Sequence, residues 1–159
     1  MLFRSGEIPY KEYATKLSEA GKRAGEYKYL FDTLSSLCSA LEFKYDMGVR
    51  LRKAYKSGDK SIIGQICAEL DTTILRIDEF YKNFRALWYR ENKTFGFEVQ
   101  DARFGGLKQR LTSCKERLED YISGKIDRIE ELEKEILPYR DKPTLYFNIY
   151  RRLISVSEI

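Results

Sequence analysis

Histidine is absent from all 159 residues. With it go the mechanisms that need an imidazole: a triad base, a histidine metal ligand, or the carboxylate and histidine set of a di-iron helix bundle. Cysteine is scarce. The three present, Cys38, Cys67 and Cys114, are odd in number and too far apart for a CxxC metal clip. Each lies on an apolar helical stripe, so buried, reduced thiols in a reducing, cytoplasmic setting are expected. No run approaches the roughly 18 uncharged apolar residues of a membrane span, and Met1 to Tyr10 lacks the apolar centre of a secretory signal. Neither a membrane partner nor secretion by its own signal is expected. Charge of one sign is not in large excess either. The 29 Lys plus Arg and 25 Asp plus Glu leave +4, interleaved along the chain, and a nucleic-acid footprint is usually more lopsided.

Only three prolines and ten glycines interrupt a chain that is 43% hydrophobic and 34% charged, the balance of a folded domain. A chain of this length makes one domain, residues 1–159, around one core. The hydrophobic period is helical throughout. Pro9 precedes a first short helix, Tyr10 to Arg23, with Tyr13, Leu17 and Ala20 on one face before Gly25. From Tyr27, Leu30, Leu34, Leu37, Leu41, Tyr45 and Gly48 recur at steps of four and three until Ser57-Gly58-Asp59. That tripeptide reads as a C-terminal glycine cap followed by the N-cap of the next helix, which makes the two helices an antiparallel hairpin. Ile63, Ile66, Leu70, Ile74, Ile77, Tyr81, Phe84 and Trp88 mark the second long helix, and Phe104, Leu107, Leu111, Cys114 and Leu118 the third.

The expected fold is all-α: an antiparallel bundle of three long helices over about 28–56, 60–91 and 98–123. A short C-terminal helix within Arg128 to Leu137, closed by Pro138, and an extended tail at Thr144 to Tyr150 complete it. Leu34, Leu41, Ile66, Leu70, Ile74, Leu107, Leu111 and Leu118 are the expected shared core.

Catalytic signals are weak. Asp78-Glu79 could divide acid and base roles, but adjacent helical positions point about 100° apart and Arg76 and Lys82 flank them, so surface charge is the reading. The basic groups Arg50, Arg52, Lys53, Lys56 and Lys108, Arg110, Lys115, Arg117 are broken by acidic neighbours and read as solvated helix surface. Phe104-Gly105-Gly106-Leu107 lacks the phosphate-loop pattern. No catalytic residue, metal ligand or cofactor is expected.

Aromatic residues are the positive signal. Phe80, Tyr81, Phe84, Trp88, Tyr89, Phe95 and Phe97 carry more ring surface than one helix face hides in a three-helix core. Trp88, Tyr89, Phe95 and Phe97 are therefore candidate anchors for a partner, with Arg90, Glu91, Asn92, Lys93 and Arg103 as a polar rim. Gly96 permits an unusual backbone, and Gly105 and Gly106 permit close approach of another helix, loop or chain. The competing reading is that these rings plug the end of the bundle.

The run Leu87 to Asp101 (LWYRENKTFGFEVQD), continuing through Arg103 to Leu107, resembles a characteristic segment of bacterial family 20 glycoside hydrolases, the β-N-acetylhexosaminidases. It is similar to the helical domain that follows their catalytic barrel. Further matches come in the same order at Leu51 to Asp59, Arg117 to Tyr121, Gly124 to Arg128, and Leu132, Glu133 and Glu135. The resemblance implies hydrolysis of terminal N-acetylhexosamine elsewhere in such an enzyme, by a barrel whose adjacent Asp and Glu orient the acetamide and protonate the leaving oxygen. A (β/α)8 barrel takes roughly 250 residues, which this helical chain does not supply. Asp78-Glu79, being helix interior, does not inherit those roles. The implied function is a non-catalytic accessory domain that packs on the barrel or mediates a homodimer. A stand-alone helical module binding a protein or nucleic acid is the alternative.

Overall fold

The structure, a computed structural model, describes residues 8–134. Pro9 heads α1 (Tyr10–Gly21), and a 3-10 turn at Gly25–Tyr27 leads into α2 (Lys28–Ser57). Then come α3 (Lys60–Glu91), α4 (Phe97–Ser123) and the single turn α5 (Glu130–Glu133). No strand occurs among the described residues. The all-α reading holds, with three long helices packed antiparallel. The hairpin between α2 and α3 forms as its residues require. Gly58 takes φ of 69°, open to glycine at little cost, and the Asp59 side chain accepts a hydrogen bond from the Ile62 N–H at 3.0 Å. The C-terminal helix is shorter than expected, and the extended stretch Thr144 to Tyr150 lies outside the described residues.

The core sits where the C-terminal half of α2, the N-terminal half of α3 and the C-terminal half of α4 meet. Ile63, Ile66, Leu70 and Leu118 are fully buried there, with Met47, Leu51, Ala54 and Cys67 around them and Ile129 closing the end. Burying each such aliphatic side chain contributes roughly 1.5–3 kcal/mol. Ion pairs set the register between helices: Arg50, held by Asp46 of its own helix at 2.9 Å, reaches Glu69 at 2.6 Å, Arg76 reaches Glu42 at 2.6 Å, and Lys115 reaches Asp71 at 2.8 Å.

The expected core list needs correction on α2. Leu34 is 48% exposed and Leu41 only half-buried, while Thr33, Ser36 and Ala40 are buried. Helix α3 lies against the small-residue side of α2, where short side chains let the backbones approach. The hydroxyl groups cost little there because Thr33 donates to the Tyr29 carbonyl and Ser36 to the Asp32 carbonyl, each at 2.8 Å. Ile74, Leu107 and Leu111 are likewise half-buried, since α4 packs chiefly on α3 and seals only Phe97 and Leu118 completely. Cys67 is buried as expected, but Cys38 and Cys114 are half-buried; all three are free thiols.

Candidate functional site

At the far end of the bundle from the main core, the aromatic residues of α3 and α4 collect. Phe97 opens α4 and is 1% exposed, with ring centroids 5.3 Å from Tyr89, 5.7 Å from Trp88, and 5.9 Å from both Tyr81 and Phe84. Phe104, two turns further along α4, meets Phe80 at 5.6 Å and Tyr81 at 5.5 Å. Such tilted and edge-on pairs suit the ring quadrupoles. Phe97, expected among the partner anchors, is therefore an interior residue of this cluster.

The connection between the two helices is held by its own polar groups. The Trp88 indole N–H donates to the Lys93 carbonyl at 2.9 Å, and the Gly96 N–H donates to the Glu98 carboxylate at 2.8 Å. Gly96 has φ of 91°, a conformation L side chains rarely adopt, so this glycine aims Phe95 and Phe97 in different directions. Phe97 turns inward. Phe95 turns outward and is 85% exposed.

The expected polar rim divides. Asn92, Lys93 and Arg103 are exposed. Arg90 and Glu91 instead fasten this end of α3 to the start of α2. The Arg90 guanidinium lies 3.9 Å from the Tyr29 ring centroid and donates to the Glu26 carbonyl at 3.2 Å, and Glu91 accepts from the Tyr29 hydroxyl. That hydrogen bond to Glu91 raises the Tyr29 phenol above its ordinary range. Gly105 and Gly106 lie on the outer side of α4, where a Cβ atom would meet nothing within 4 Å. No helix or loop among the described residues makes the close approach expected there.

Two residues of this end, Arg85 and Tyr81, were not among the expected anchors and rim, although Tyr81 belongs to the aromatic excess. Arg85 stacks 5.5 Å from the ring centroid of Tyr89, which is 45% exposed. Tyr81 donates to Asp101 at 2.6 Å, and that bond, with desolvation behind it, pushes the phenol up. Their four-residue spacing, Tyr81, Arg85 and Tyr89 on one side of α3, was the available signal. Tyr81, Lys82, Arg85, Ala86 and Tyr89 line a shallow groove of about 260 Å³.

Of the carboxylates Asp78 and Glu79, only Glu79 borders a groove, the polar one between α2 and α3. Asp78 pairs with Lys108 at 2.6 Å, and Glu79 faces solvent beside Lys82 at 4.0 Å. A polar groove of about 530 Å³ runs between α2 and α3, but Ser36 and Thr72 donate to carbonyls of their own helices and Arg76 is held by Glu42 and the Ser39 carbonyl. Among the described residues no group of three or more Cys, Asp or Glu side chains is placed to hold a metal ion. Nor is any helix there long and apolar enough to cross a membrane.

Among known families, the chain matches the one described as the Glycoside Hydrolase 20C C-terminal domain, over residues 5–148. No curated protein matches the chain.

Proposed function

From the premise that this chain belongs to the glycoside hydrolase 20C C-terminal domain family, we propose that it is the non-catalytic accessory domain of a bacterial, cytoplasmic β-N-acetylhexosaminidase, an enzyme that removes terminal N-acetylhexosamine from glycans. The whole chain, residues 1–159, is one such domain, and its partner is the catalytic barrel of the parent enzyme. The contact surface is the connection between α3 and α4 together with the outer side of α4.

Phe95 carries this reading. A phenyl ring 85% exposed on a hydrogen-bonded turn loses about 1.5–3 kcal/mol of burial, and a partner surface restores it. Tyr89 and Arg85 beside it, Asn92, Lys93 and Arg103 as a polar border, and the bare backbone at Gly105 and Gly106 suit a close-packed interface. A non-catalytic role is supported by the setting of Asp78, ion-paired with Lys108, and of Glu79, exposed beside Lys82.

The test pairs the isolated chain with the full-length enzyme. The chain alone should not hydrolyse a chromogenic N-acetylglucosaminide. Phe95→Ser should leave the melting temperature of the isolated chain unchanged while lowering the stability or activity of the full-length enzyme. If only self-association of the isolated chain responds, the surface serves a homodimer. If none of these changes, or if the isolated chain shows turnover that is lost in Glu79→Gln, the proposal fails.

A further inference from the structure

The outer side of α4 carries three arginines at a fixed interval. Arg103, Arg110 and Arg117 stand seven residues apart, drift by about 20° per step around the helix, and follow one another at about 10.5 Å along its axis. All three are exposed. None joins an ion pair or a side-chain hydrogen bond among the described residues, whereas Lys108 and Lys115 of the same helix are taken up by Asp78 and Asp71 at 2.6 and 2.8 Å. Local partners are missing as well. A carboxylate of the same helix would stand three or four residues away; Arg103 and Arg110 have none there, and Arg117 has only Asp120, which Lys125 holds at 2.9 Å. Glu131 borders the same groove as Arg110 and Arg117 without an ion pair to either. Between the arginines, on the same side, lie Gly106 and Ser113, and a Cβ atom at Gly106 would meet nothing within 4 Å.

Resting on the reading of this chain as the accessory domain of a barrel enzyme, we propose that the arginine row of α4 seats an outer helix of the catalytic barrel that bears carboxylates seven residues apart. Guanidinium forks pair with carboxylates through two hydrogen bonds, and the interval selects a helix to carry them. Residues seven apart on a second helix return to one side at about 10.5 Å, so a helix lying along α4 at the shallow angle of bundle packing meets all three arginines in phase. An extended strand presents same-side residues at multiples of about 6.8 Å, out of step with the row. Duplex phosphates follow at about 3.4 Å per strand, and the one three steps on has turned about 100° round the duplex, away from a straight row. A (β/α)8 barrel wears its helices on the outside, which supplies a partner of the required kind. Gly106 and Ser113 leave room for its side chains between the guanidinium groups, and Arg103 already belongs to the polar border of the proposed contact surface.

Photo-crosslinking in the full-length enzyme tests this, with p-benzoylphenylalanine replacing Gly106 in one variant and Ser113 in another. The expected product, from one position or both, is a crosslink to a barrel helix with Asp or Glu at seven-residue spacing. Arg110→Glu should cut that yield roughly fivefold, and replacing the facing carboxylate by lysine should restore it. Crosslinks only to a strand or loop, to a helix without that spacing, to this domain itself or to a second copy, or none at all, overturn the proposal, as does a yield indifferent to Arg110→Glu. A third variant with the label at Phe95 keeps the two readings apart. If Phe95 crosslinks to the barrel and the arginine row does not, the helix partner alone falls; if none of the three positions reaches the barrel, the docking reading falls with it. Retention of a mixed-sequence DNA duplex by the 159-residue chain at physiological ionic strength, lost in Arg110→Glu, would assign the row to nucleic acid and overturn the proposal.

Discussion

The Trp88 indole N–H donates to the carbonyl oxygen of Lys93 at 2.9 Å, and the same ring lies 5.7 Å from that of Phe97. One side chain thus ties the last turn of α3 to the connection that follows and to the first residue of α4. Trp88→Phe keeps the ring packing and releases a carbonyl that water can reach, so it should lower stability by about 1 kcal/mol. Trp88→Ala also removes the ring contacts and, from a half-buried site, should cost about 2 kcal/mol, below the usual value for a buried tryptophan. Urea unfolding followed by far-ultraviolet circular dichroism measures both, and equal losses in the two variants would contradict the role given to the rings.

The glycines of this end separate backbone need from open space. Gly96→Ala must hold φ of 91° with a Cβ atom, and should cost about 1–2 kcal/mol in the isolated chain. Gly105→Ala and Gly106→Ala meet no neighbour and improve helix propensity, so each should stabilise the isolated chain by about 0.5–1 kcal/mol. In the full-length enzyme the same two substitutions should weaken docking if the outer side of α4 meets the barrel. Thermal melts of the isolated chain and of the full-length enzyme, read side by side, give the signs.

Depth of burial ranks the aliphatic positions. Leu70 is 1% exposed at the junction of α2, α3 and α4, and Leu70→Ala should cost about 2–5 kcal/mol. Leu107, half-buried on a helix that packs chiefly on α3, should lose about half as much on the same change. Chemical denaturation at constant m-value distinguishes them, and equal losses would contradict the geometry of α4.

Helix boundaries were legible because their signals are local. Gly58, Asp59 and Gly124 stop or start helices through backbone preferences that need no tertiary partner. The buried side of α2 was not legible, because periodicity ranks residues by hydrophobicity and the strongest stripe, Leu30 to Leu41, is not where α3 lies. Thr33, Ser36 and Ala40 win that side through close helix approach, an energy no single-helix pattern contains. The candidate surface was half legible. The aromatic excess located the end of the bundle, but Phe95 and Phe97 are chemically identical. Only the turn at Gly96 decides that one is 85% and the other 1% exposed. Arg90 and Glu91 looked free in the sequence because Tyr29, which they hold, is about sixty positions away.

Alkaline pH should loosen the aromatic end through Tyr81. Its hydroxyl donates to Asp101 at 2.6 Å, a bond that exists only while the phenol keeps its proton, and the folded-state pKa is accordingly raised above the ordinary value of 10.0. A raised acid of this kind holds its proton more tightly folded than unfolded. Its stabilising contribution is complete below about pH 10 and is lost as pH rises through the higher folded value. Tyr81→Phe lacks both the bond and the titration. The stability gap between the native chain and Tyr81→Phe should therefore stay constant from pH 7 to about 10 and shrink above it. Tyr29 and Tyr55 donate to Glu91 and Glu133 in the same way, but both are present in the native chain and in Tyr81→Phe, so their alkaline losses cancel in the gap. Denaturation midpoints collected across that pH range decide it, and a gap that ignores pH would mean that the Tyr81–Asp101 bond contributes nothing to joining α3 and α4.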